Sequence, residues 1–418
     1  MEIKALGAAR MVGKSAFLIK GDKTNLLLDY GAITNKEPEF PLHISPNDID
    51  SILLSHAHLD HCGGLPMFYV NGGVDLYSTD ISLELMDLLL NDFINISGYY
   101  LPFQHPEIKA MKKYTKDITL NESVQIGEFL TTYKEAGHIP GGASITLDSG
   151  SKRILYTGDI NAIPTQLIRG AELNFGELDL IITESTYGSA NHKPRNEVEK
   201  TFVNFARKVV ERKGVLLVPA FAIGRSQEIA CVLKKHNFPY PVAIDGMALR
   251  TNDVLVKHQN YLRDPQLFNK ALDSANIVND WGERRKVVDN PGVIIAPAGM
   301  LVGGTAAFYK KIVTKRPENG VALVSFQAPN TPGKTLWDKR IVLINGKRVK
   351  VKCDVEKFDF SSHSGQKELF DMYNKIQGNP KVLAIHGENQ SCLDLASDIK
   401  KKFGWSVIAP KPGQTIEL

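Results

Sequence analysis

Three histidines and one aspartate crowd into six positions of the stretch SHAHLDHCGGLP, residues 55–66. An apolar, β-prone run at 51–54 comes directly before them, so the pattern predicts a strand that ends where the histidines begin. At strand spacing, His56 and His58 point to the same side and can share one metal ion. This spacing favours a metal site over an ordinary histidine-rich polar loop.

The remaining donors of this stretch favour a second ion. The chain turns after His58, which directs Asp60 and His61 away from the first pair of ligands. Imidazole and carboxylate donors without a thiolate suit zinc. We therefore expect two metal ions a few ångströms apart, both outside the end of the strand.

Two further residues extend this ligand set. His138 in AGHIPGGAS and Asp159 in YTGDI each follow a predicted strand and adjoin glycine. Taken alone, a residue of either kind is more often part of an ordinary turn. Their order after HxHxDH allows a two-ion arrangement with positions left open to water, as in a catalytic zinc site. In it, the first ion takes His56, His58 and His138, the second takes Asp60 and His61, and Asp159 bridges them.

Composition limits the class of protein. The chain has 418 residues, 43% of them hydrophobic and 23% charged, as in ordinary globular proteins of two or three domains. Its net charge of +4 is compatible with a polyanionic partner but does not require one. The four cysteines form no CxxC pair, which favours a reduced intracellular protein and disfavours a cysteine-based zinc site.

The sequence also excludes a membrane location. The N-terminus, MEIKALGAARMVGK, carries charges where a signal peptide needs an apolar core. The longest uncharged stretch, residues 291–309, contains glycines and prolines that favour strand, loop and helix over a membrane span. We expect a cytoplasmic protein.

The elements that must position these ligands change character along the chain. Up to about Glu184, short runs of alternating apolar residues predict a β-rich layer, interrupted by one helix at 82–96. Strands and helices then alternate, which predicts a parallel α/β domain with right-handed crossovers. The pattern reverts near Arg348, in an alternating VKVKCDV hairpin arm. We predict a β-rich catalytic domain interrupted by the α/β domain and completed by the C-terminal segment.

The combined motifs resemble those of a known family. HxHxDH, His138 and Asp159, preceded by Asp29 in LLLDYG, look like the motif series of the metallo-β-lactamase superfamily. Three later stretches, ITESTYG, FSSHSG and AIHGE, resemble the additional motifs of the β-CASP nucleases, which include the polyadenylation-factor endonuclease and ribonuclease J. Within the α/β insertion, PAFAIGRSQE, APAGMLVGG and SFQAPNTPGK also resemble family stretches. The resemblance covers essentially the whole chain and is nearest to compact archaeal-type members.

The resemblance implies a fold and its domain boundaries. We expect a metallo-β-lactamase αββα sandwich interrupted by an inserted parallel α/β (β-CASP) cap domain. The first part of the catalytic domain would span residues 1–187, the cap 188–347, and the C-terminal completion 348–418. A cap of this size suits a long groove between two domains.

The resemblance also implies residue roles. The zinc ligands would be His56, His58, Asp60, His61, His138, Asp159 and His386, with two Zn²⁺ per chain and His386 completing the second ion's ligands. His363 would be the general acid for the leaving oxygen, Glu184 would orient it, and Asp60 would also take part in catalysis. Asp29 would fix ligand geometry without binding metal. Ser362, Arg225 and Lys334 would contact the substrate, although Arg225 reads equally well as a solvated arginine at a helix start.

These features predict a zinc-dependent ribonuclease that hydrolyses single-stranded RNA without strong sequence preference. We expect 5′-to-3′ trimming, endonucleolytic cleavage, or both, and a homodimer is left open. One alternative is a non-catalytic RNA-binding scaffold subunit, although every expected ligand is present. A small-molecule hydrolase would not need the cap. A DNA nuclease is the remaining alternative, against which His386 argues, because DNA-acting relatives tend to carry an aliphatic residue there.

Overall fold

The computed structural model describes residues 1–34 and 37–418. The chain divides into two compact units. The first unit comprises residues 1–164, 169–191 and 362–418, and the second comprises 165–168 and 192–361. The second unit is therefore almost entirely one long insertion into the first.

The strands of the first unit lie on both sides of this insertion in the sequence. Before it come β1 (Glu2–Ala5), β2 (Phe17–Lys20), β3 (Asn25–Leu28), β4 (Ser51–Leu53), β5 (Asp75–Ser78), β6 (Thr115–Asp117), β7 (Ser123–Ile126), β8 (Phe129–Glu135), β9 (Ala143–Asp148), β10 (Arg153–Tyr156) and β11 (Leu180–Glu184). The second unit contains β12 (Val215–Pro219), β13 (Val242–Asp245), β14 (Asn276–Val278), β15 (Gly292–Ala296), β16 (Gly320–Leu323), β17 (Ile341–Ile344), β18 (Lys347–Lys350) and β19 (Asp354–Lys357). After it come β20 (Lys381–Ile385), β21 (Val407–Ile408) and β22 (Thr415–Glu417).

The helices follow the same division. The first unit begins with α1 (Leu59–Cys62), α2 (Asp80–Ser97) and α3 (His105–Met111). The second contains α4 (Arg195–Glu211), α5 (Arg225–Lys235), α6 (Met247–Lys257), α7 (Pro265–Asp273), α8 (Trp281–Asp289), α9 (Gly304–Val313) and α10 (Pro332–Lys339). The first unit ends with α11 (Gln366–Tyr373) and α12 (Asn389–Phe403).

Two seven-stranded sheets form the centre of the first unit. Their strand orders are β22-β1-β2-β3-β4-β5-β6 and β21-β20-β11-β10-β9-β8-β7. Buried side chains of both sheets, such as Phe17 and Leu28 from one and Phe129 and Tyr156 from the other, belong to a single apolar cluster. The sheets therefore pack face to face, as the predicted sandwich requires.

The second sheet also buries its outer face. Along β11, Leu180 and Ile182 contribute to the cluster between the sheets, whereas Ile181 belongs to a different cluster that includes Leu369 of α11 and Leu395 of α12. Burial on both faces explains why β11 begins with three consecutive apolar residues, Leu180 to Ile182, instead of alternating apolar and polar ones. The helices on the outer face confirm the mixed α/β layering expected from the sequence.

The sheet of the second unit is parallel throughout, as predicted, with the order β14-β13-β15-β12-β16-β19. Between β13 and β15 the chain forms α6, α7, β14 and α8 in that order. The cap boundary predicted after residue 347 differs from the end of this unit at Ser361. The unit extends further because β19 pairs with β16 at the edge of its sheet.

Strand direction gathers the candidate ligands of the first unit at one end of its second sheet. Strands β8 and β10 are each antiparallel to β9 and so run in the same direction, and β10, β11 and β20 are parallel neighbours. The segments that follow these four strands therefore leave the sheet at the same edge. Those segments carry His138, Asp159 and His386, and Glu184 is the last residue of β11 at the same edge.

In the first sheet, the turn after β3 supports the histidine-rich loop. Tyr30 N donates to His61 O at 2.8 Å and Ala32 N donates to Leu59 O at 2.8 Å. Between them, Gly31 lies so close to α1 that a Cβ at this position would be 1.7 Å from Asp60 O. Only glycine permits this approach of the two backbones.

We expect Gly31→Ala to lower the free energy of unfolding by about 1–3 kcal/mol, because the added methyl group must displace the backbone of α1. Urea denaturation followed by circular dichroism measures this effect. Gly98→Ala is the matched control, since its Cβ would meet nothing nearer than Ile94 Cγ2 at 3.6 Å. Equal stability of the two variants would contradict this account of Gly31.

Candidate metal centre and active site

The first group of donors surrounds a small volume beside the loop after β4. His58 Nδ1 lies 3.2 Å from His56 Nε2 and 3.1 Å from His138 Nε2. Asp159 Oδ2 lies 3.7 Å from His56 Nε2 and 3.5 Å from His138 Nε2. Ligands of a tetrahedral zinc ion, with bonds of about 2.0–2.1 Å, are themselves about 3.3 Å apart. These four side chains therefore have the spacing of a zinc site.

A second group lies on the other side of Asp159. The other carboxylate oxygen of Asp159, Oδ1, is 3.4 Å from His61 Nε2 and 3.3 Å from His386 Nδ1. Asp60 Oδ2 lies 3.4 Å from His386 Nε2 and 4.0 Å from His61 Nε2. All seven predicted ligands thus come together, in two groups that share one aspartate.

The chemistry of the donors fits metal binding. Asp159 is 3% exposed and its Oδ1 accepts no hydrogen bond from the described residues, so a carboxylate oxygen is buried facing nitrogen donors of the second group. A buried anionic oxygen needs a counter-charge. The nearby Cys62 thiol points to Ala57 O instead, at 3.1 Å, and burial raises its pKa well above the usual range. The donor set is nitrogen and oxygen only, which suits zinc.

Burial and neighbouring charges shift the pKa values of the histidines in opposite directions in the two donor groups. Burial lowers the pKa of His56 and His138 well below the usual range and lowers the pKa of His58 to about 4. These three imidazoles are therefore neutral at pH 7, the form that binds metal. At His61 and His386 burial acts in the same direction, but the neighbouring carboxylates together outweigh it and raise both pKa values. These carboxylates are Asp159 and Asp29 for His61, and Asp159 and Asp60 for His386. The second group thus favours positive charge, whether a proton or a metal cation carries it.

Asp29 holds the ligands in place without facing the metal volume. It is fully buried at the end of β3, and its carboxylate accepts from Ser55 N at 2.7 Å, Ser55 Oγ at 2.7 Å, His61 Nδ1 at 2.7 Å and Tyr156 Oη at 2.6 Å. Because His61 donates from Nδ1, its Nε2 faces the second donor group. Because Ser55 Oγ donates its one proton to Asp29, it accepts from His56 Nδ1, 3.1 Å away.

Sequence reasoning did not identify all the residues that orient these ligands. It missed Ser55 and Tyr156, and it missed the backbone carbonyl of Ser362, which accepts from His138 Nδ1 at 2.8 Å. Ser55 directly precedes His56, so its position was a usable signal. Tyr156 contacts Asp29 across 127 residues of sequence, and no local pattern marks that contact.

A histidine–carboxylate pair adjoins the shared aspartate. His363 Nδ1 donates to both oxygens of Glu184, at 3.0 and 2.9 Å, and Ile160 N donates to Glu184 Oε1 at 2.7 Å. This arrangement leaves His363 Nε2 4.0 Å from Asp159 Oδ2. Burial disfavours the imidazolium form, but the Glu184 and Asp159 carboxylates outweigh burial and raise the pKa of His363 to about 9. At pH 7 the ring therefore carries a proton at Nε2.

The three predicted substrate-binding residues differ in their surroundings. Ser362 adjoins His363 and lies in the first unit, partly buried. Arg225 is not a solvated arginine, because it is 7% exposed and its Nη1 pairs with Glu228 Oε2 at 2.8 Å. Lys334 is more exposed and pairs with Asp338 one helical turn later, at 2.9 Å. Substrate contact by these residues stays a prediction.

Together, the sandwich fold and a nitrogen and oxygen donor set at the strand ends define a metallo-hydrolase. Family models agree with this class. Residues 10–202 match the metallo-beta-lactamase superfamily, residues 226–336 match the Beta-Casp domain, and residues 348–410 match the Zn-dependent metallo-hydrolase RNA specificity domain.

Relatives narrow the class further. The chain is 37% identical to "RNase aCSPSF2" of Saccharolobus solfataricus, over all of this chain and 85% of that protein. It is 34% identical to "Probable RNase MJ4" of Methanocaldococcus jannaschii over the full length of both. It is also 34% identical to "Transcription termination factor FttA" of Pyrococcus horikoshii, over all of this chain and 71% of that protein. This chain belongs to the β-CASP ribonuclease family.

A solved structure supports the fold. A protein of unknown function from Enterococcus faecalis V583 aligns over 100% of this chain and 99% of its own, with a TM-score of 0.63 and 12% sequence identity. At that identity the likeness concerns the fold alone. In residues 1–34 and 37–418, no helix has both the length and the apolar character to cross a membrane.

We expect Asp29→Asn to weaken zinc binding about 10- to 100-fold, because an amide cannot accept the four hydrogen bonds that orient His61 and, through Ser55, His56. Titration against a chromophoric chelator measures this affinity. Asp117→Asn, which removes a charge from an exposed aspartate of β6, is the control and should bind zinc like the unaltered protein. Unchanged affinity in the Asp29 variant would show that Asp29 does not set ligand geometry.

Proposed function

We propose that this chain is a two-zinc ribonuclease that hydrolyses phosphodiester bonds of single-stranded RNA. The observation that carries the proposal is the pair of donor groups joined by Asp159, with the His363–Glu184 pair beside them. The names of two relatives describe them as ribonucleases, and residues 348–410 match a domain named for RNA specificity. Four free, buried cysteines suit a reducing compartment, so we place the enzyme in the cytoplasm.

Two zinc ions held by these groups would acidify a water molecule and offset the negative charge of the scissile phosphate. Within the chain, Asp159 would connect the two groups through its separate oxygens. Asp60 is the most accessible of the second group, with its side chain 31% exposed, and would help to orient the attacking water. The substrate would therefore approach from the side on which Asp60 is open to solvent.

His363 would supply the proton for the leaving oxygen. Glu184 occupies its Nδ1, so the proton on Nε2 lies on the side of the metal volume, 4.0 Å from Asp159 Oδ2. Glu184 is itself held by Ile160 N, which fixes the orientation of the pair. A positioned histidine of this kind is suited to general acid catalysis.

We expect His363→Ala to lower turnover of RNA by about two to four orders of magnitude, because the leaving oxygen would lose its proton donor. Zinc content, measured by elemental analysis, should stay at two ions per chain in this variant, since His363 lies outside both donor groups. His43→Ala, an exposed histidine outside the site, should keep full turnover and zinc. Loss of one zinc ion from the His363 variant would mean that its role is wrongly assigned.

The cleavage mode needs a separate test. We propose 5′-to-3′ trimming, with endonucleolytic cleavage as the second mode. Purified protein is incubated with a circular single-stranded RNA, a 5′-phosphorylated linear RNA and a linear DNA, with and without a zinc chelator. We expect rapid loss of the linear RNA, slow cleavage of the circle, little cleavage of DNA, and no activity with chelator. Rapid cleavage of the circle would refute a requirement for an end, and inert RNA would refute the proposed function itself.

A further inference from the structure

A two-stranded hairpin in the second unit concentrates positive charge. Strands β17 and β18 pair in an antiparallel register that sets Ile341 opposite Lys350 and Ile344 opposite Lys347. Asn345 and Gly346 connect them, both with positive φ (50° and 77°), as a tight two-residue hairpin turn requires. From residue 339 to 352 the sequence KRIVLINGKRVKVK contains six lysines and arginines and no acidic residue.

One face of the hairpin attaches it to the unit. Val342 and Ile344 are buried and Val349 packs beside them, all in the apolar cluster that also contains Leu336 of α10. Opposite residues of an antiparallel pair lie on the same face, so Ile341, Leu343, Arg348 and Lys350 share the other face. Leu343 is 55% exposed, and Arg348 and Lys350 are also exposed. The hairpin therefore presents cations beside apolar surface.

The three cations within the two strands form no ion pair within the described part of the chain. Arg340 donates to Val355 O at 2.7 Å and lies over the Trp337 ring, so it serves the fold. By contrast, Lys347, Arg348 and Lys350 make no ion pair with any residue in 1–34 or 37–418. Arg348 and Lys350 project from one face two residues apart, about 6.5–7 Å along the strand. Consecutive phosphates of an extended nucleic acid strand can meet such a pair.

We propose that this hairpin is a second RNA-binding element, which grips the phosphate backbone of single-stranded RNA at a place distinct from the metal centre. The inference rests on the proposed ribonuclease function and adds a binding site to it. Arg348 would contact phosphate with its planar guanidinium, Lys350 would act as a point charge on the same face, and Leu343 would pack against ribose or base. Lys347 lies opposite Ile344 on the attached face, but it is exposed beside the turn and would add a further point charge there. Contacts of this kind bind RNA without reading its sequence.

Lysines on an exposed hairpin have another use, because they prevent its free edges from pairing with other strands. That role alone would leave RNA affinity independent of these residues, and their removal would cause self-association. The RNA-binding role instead makes affinity and its salt dependence follow the number of cations. The two roles are therefore separable by experiment.

The test is a triple variant, Lys347→Gln, Arg348→Gln and Lys350→Gln, made in the His363→Ala background so that RNA stays intact. Binding of a fluorescein-labelled oligouridylate is measured by anisotropy over a range of salt concentrations. Each lost phosphate contact lowers the slope of log affinity against log salt by about 0.7, so the slope should fall by about 2. Affinity at ~0.1 M salt should fall about 10- to 100-fold.

A control variant carries the same charge change elsewhere: Lys20→Gln, Lys109→Gln and Lys113→Gln, three exposed lysines of the first unit that lie outside residues 348–410. It should retain most of the affinity and slope, and an equal loss would show a general charge effect and overturn the proposal. With His363 intact, the hairpin variant should hydrolyse bis(p-nitrophenyl) phosphate at the unaltered rate, because this small substrate has no RNA backbone for the hairpin to bind. A parallel fall in this rate would mean that the substitutions disturb the enzyme as a whole.

The two proposals fail in different ways. Unchanged RNA affinity and slope in the hairpin variant, while the unaltered enzyme still cleaves RNA, would overturn the hairpin site alone. Unchanged affinity together with self-association, measured by light scattering, would assign the cations to edge protection and also overturn it. If the unaltered chain neither binds nor cleaves RNA, the ribonuclease function and the hairpin site are both wrong.

Discussion

One buried carboxylate, Asp29, connects the parts of the first unit that the metal centre needs. It lies at the end of a strand in the first sheet and accepts a hydrogen bond from Tyr156 of the second sheet at 2.6 Å. It orients His61 directly and His56 through Ser55, and so acts on one ligand from each donor group. A buried carboxylate is costly to desolvate unless donors surround it, and here four hydrogen bonds offset that cost. The same bonds align the two sheets and the ligands.

The donor groups differ in the charge they favour. Buried, neutral imidazoles dominate the first group, whereas Asp60 and Asp159 give the second a net attraction for cations. Asp159 belongs to both groups, so its two oxygens set the distance between them. His363 is outside both groups and is held by Glu184, which keeps a proton beside the metal volume without using a ligand. In the proposed mechanism, different residues would therefore bind metal and transfer the proton.

Binding a long substrate imposes a different requirement from cleaving one bond. The metal centre is assembled entirely from the first unit, while the basic hairpin belongs to the second. A site that grips phosphates through exposed cations gains affinity without restricting sequence, which suits an enzyme that acts on RNA of varied sequence. Hydrolysis would therefore depend on residues of the first unit and RNA affinity on the hairpin of the second. Substitutions in the hairpin should lower RNA affinity without changing the hydrolysis of a small substrate.

The sequence by itself predicted a zinc site and most of the side chains that would bind it. HxHxDH is a local pattern, because its spacing on a strand end already places His56 and His58 together. The sequence also determined the parallel sheet of the second unit, since its alternation of strands and helices has few topological solutions. His138, Asp159, Glu184, His363 and His386 carry no such local signal, and only their order and their family resemblance identified them.

Tertiary structure alone decided which groups support those residues. Tyr156 reaches Asp29, and Ser362 O reaches His138, across 127 and 224 residues of sequence. From the sequence, Arg225 is equally compatible with a solvated arginine and a phosphate ligand; the structure buries it against Glu228, and its contact with substrate stays a prediction. Such contacts depend on strand register and on the packing of two sheets, which no short window of sequence contains. The sequence can name the atoms that bind metal, but the fold determines which hydrogen bonds orient them.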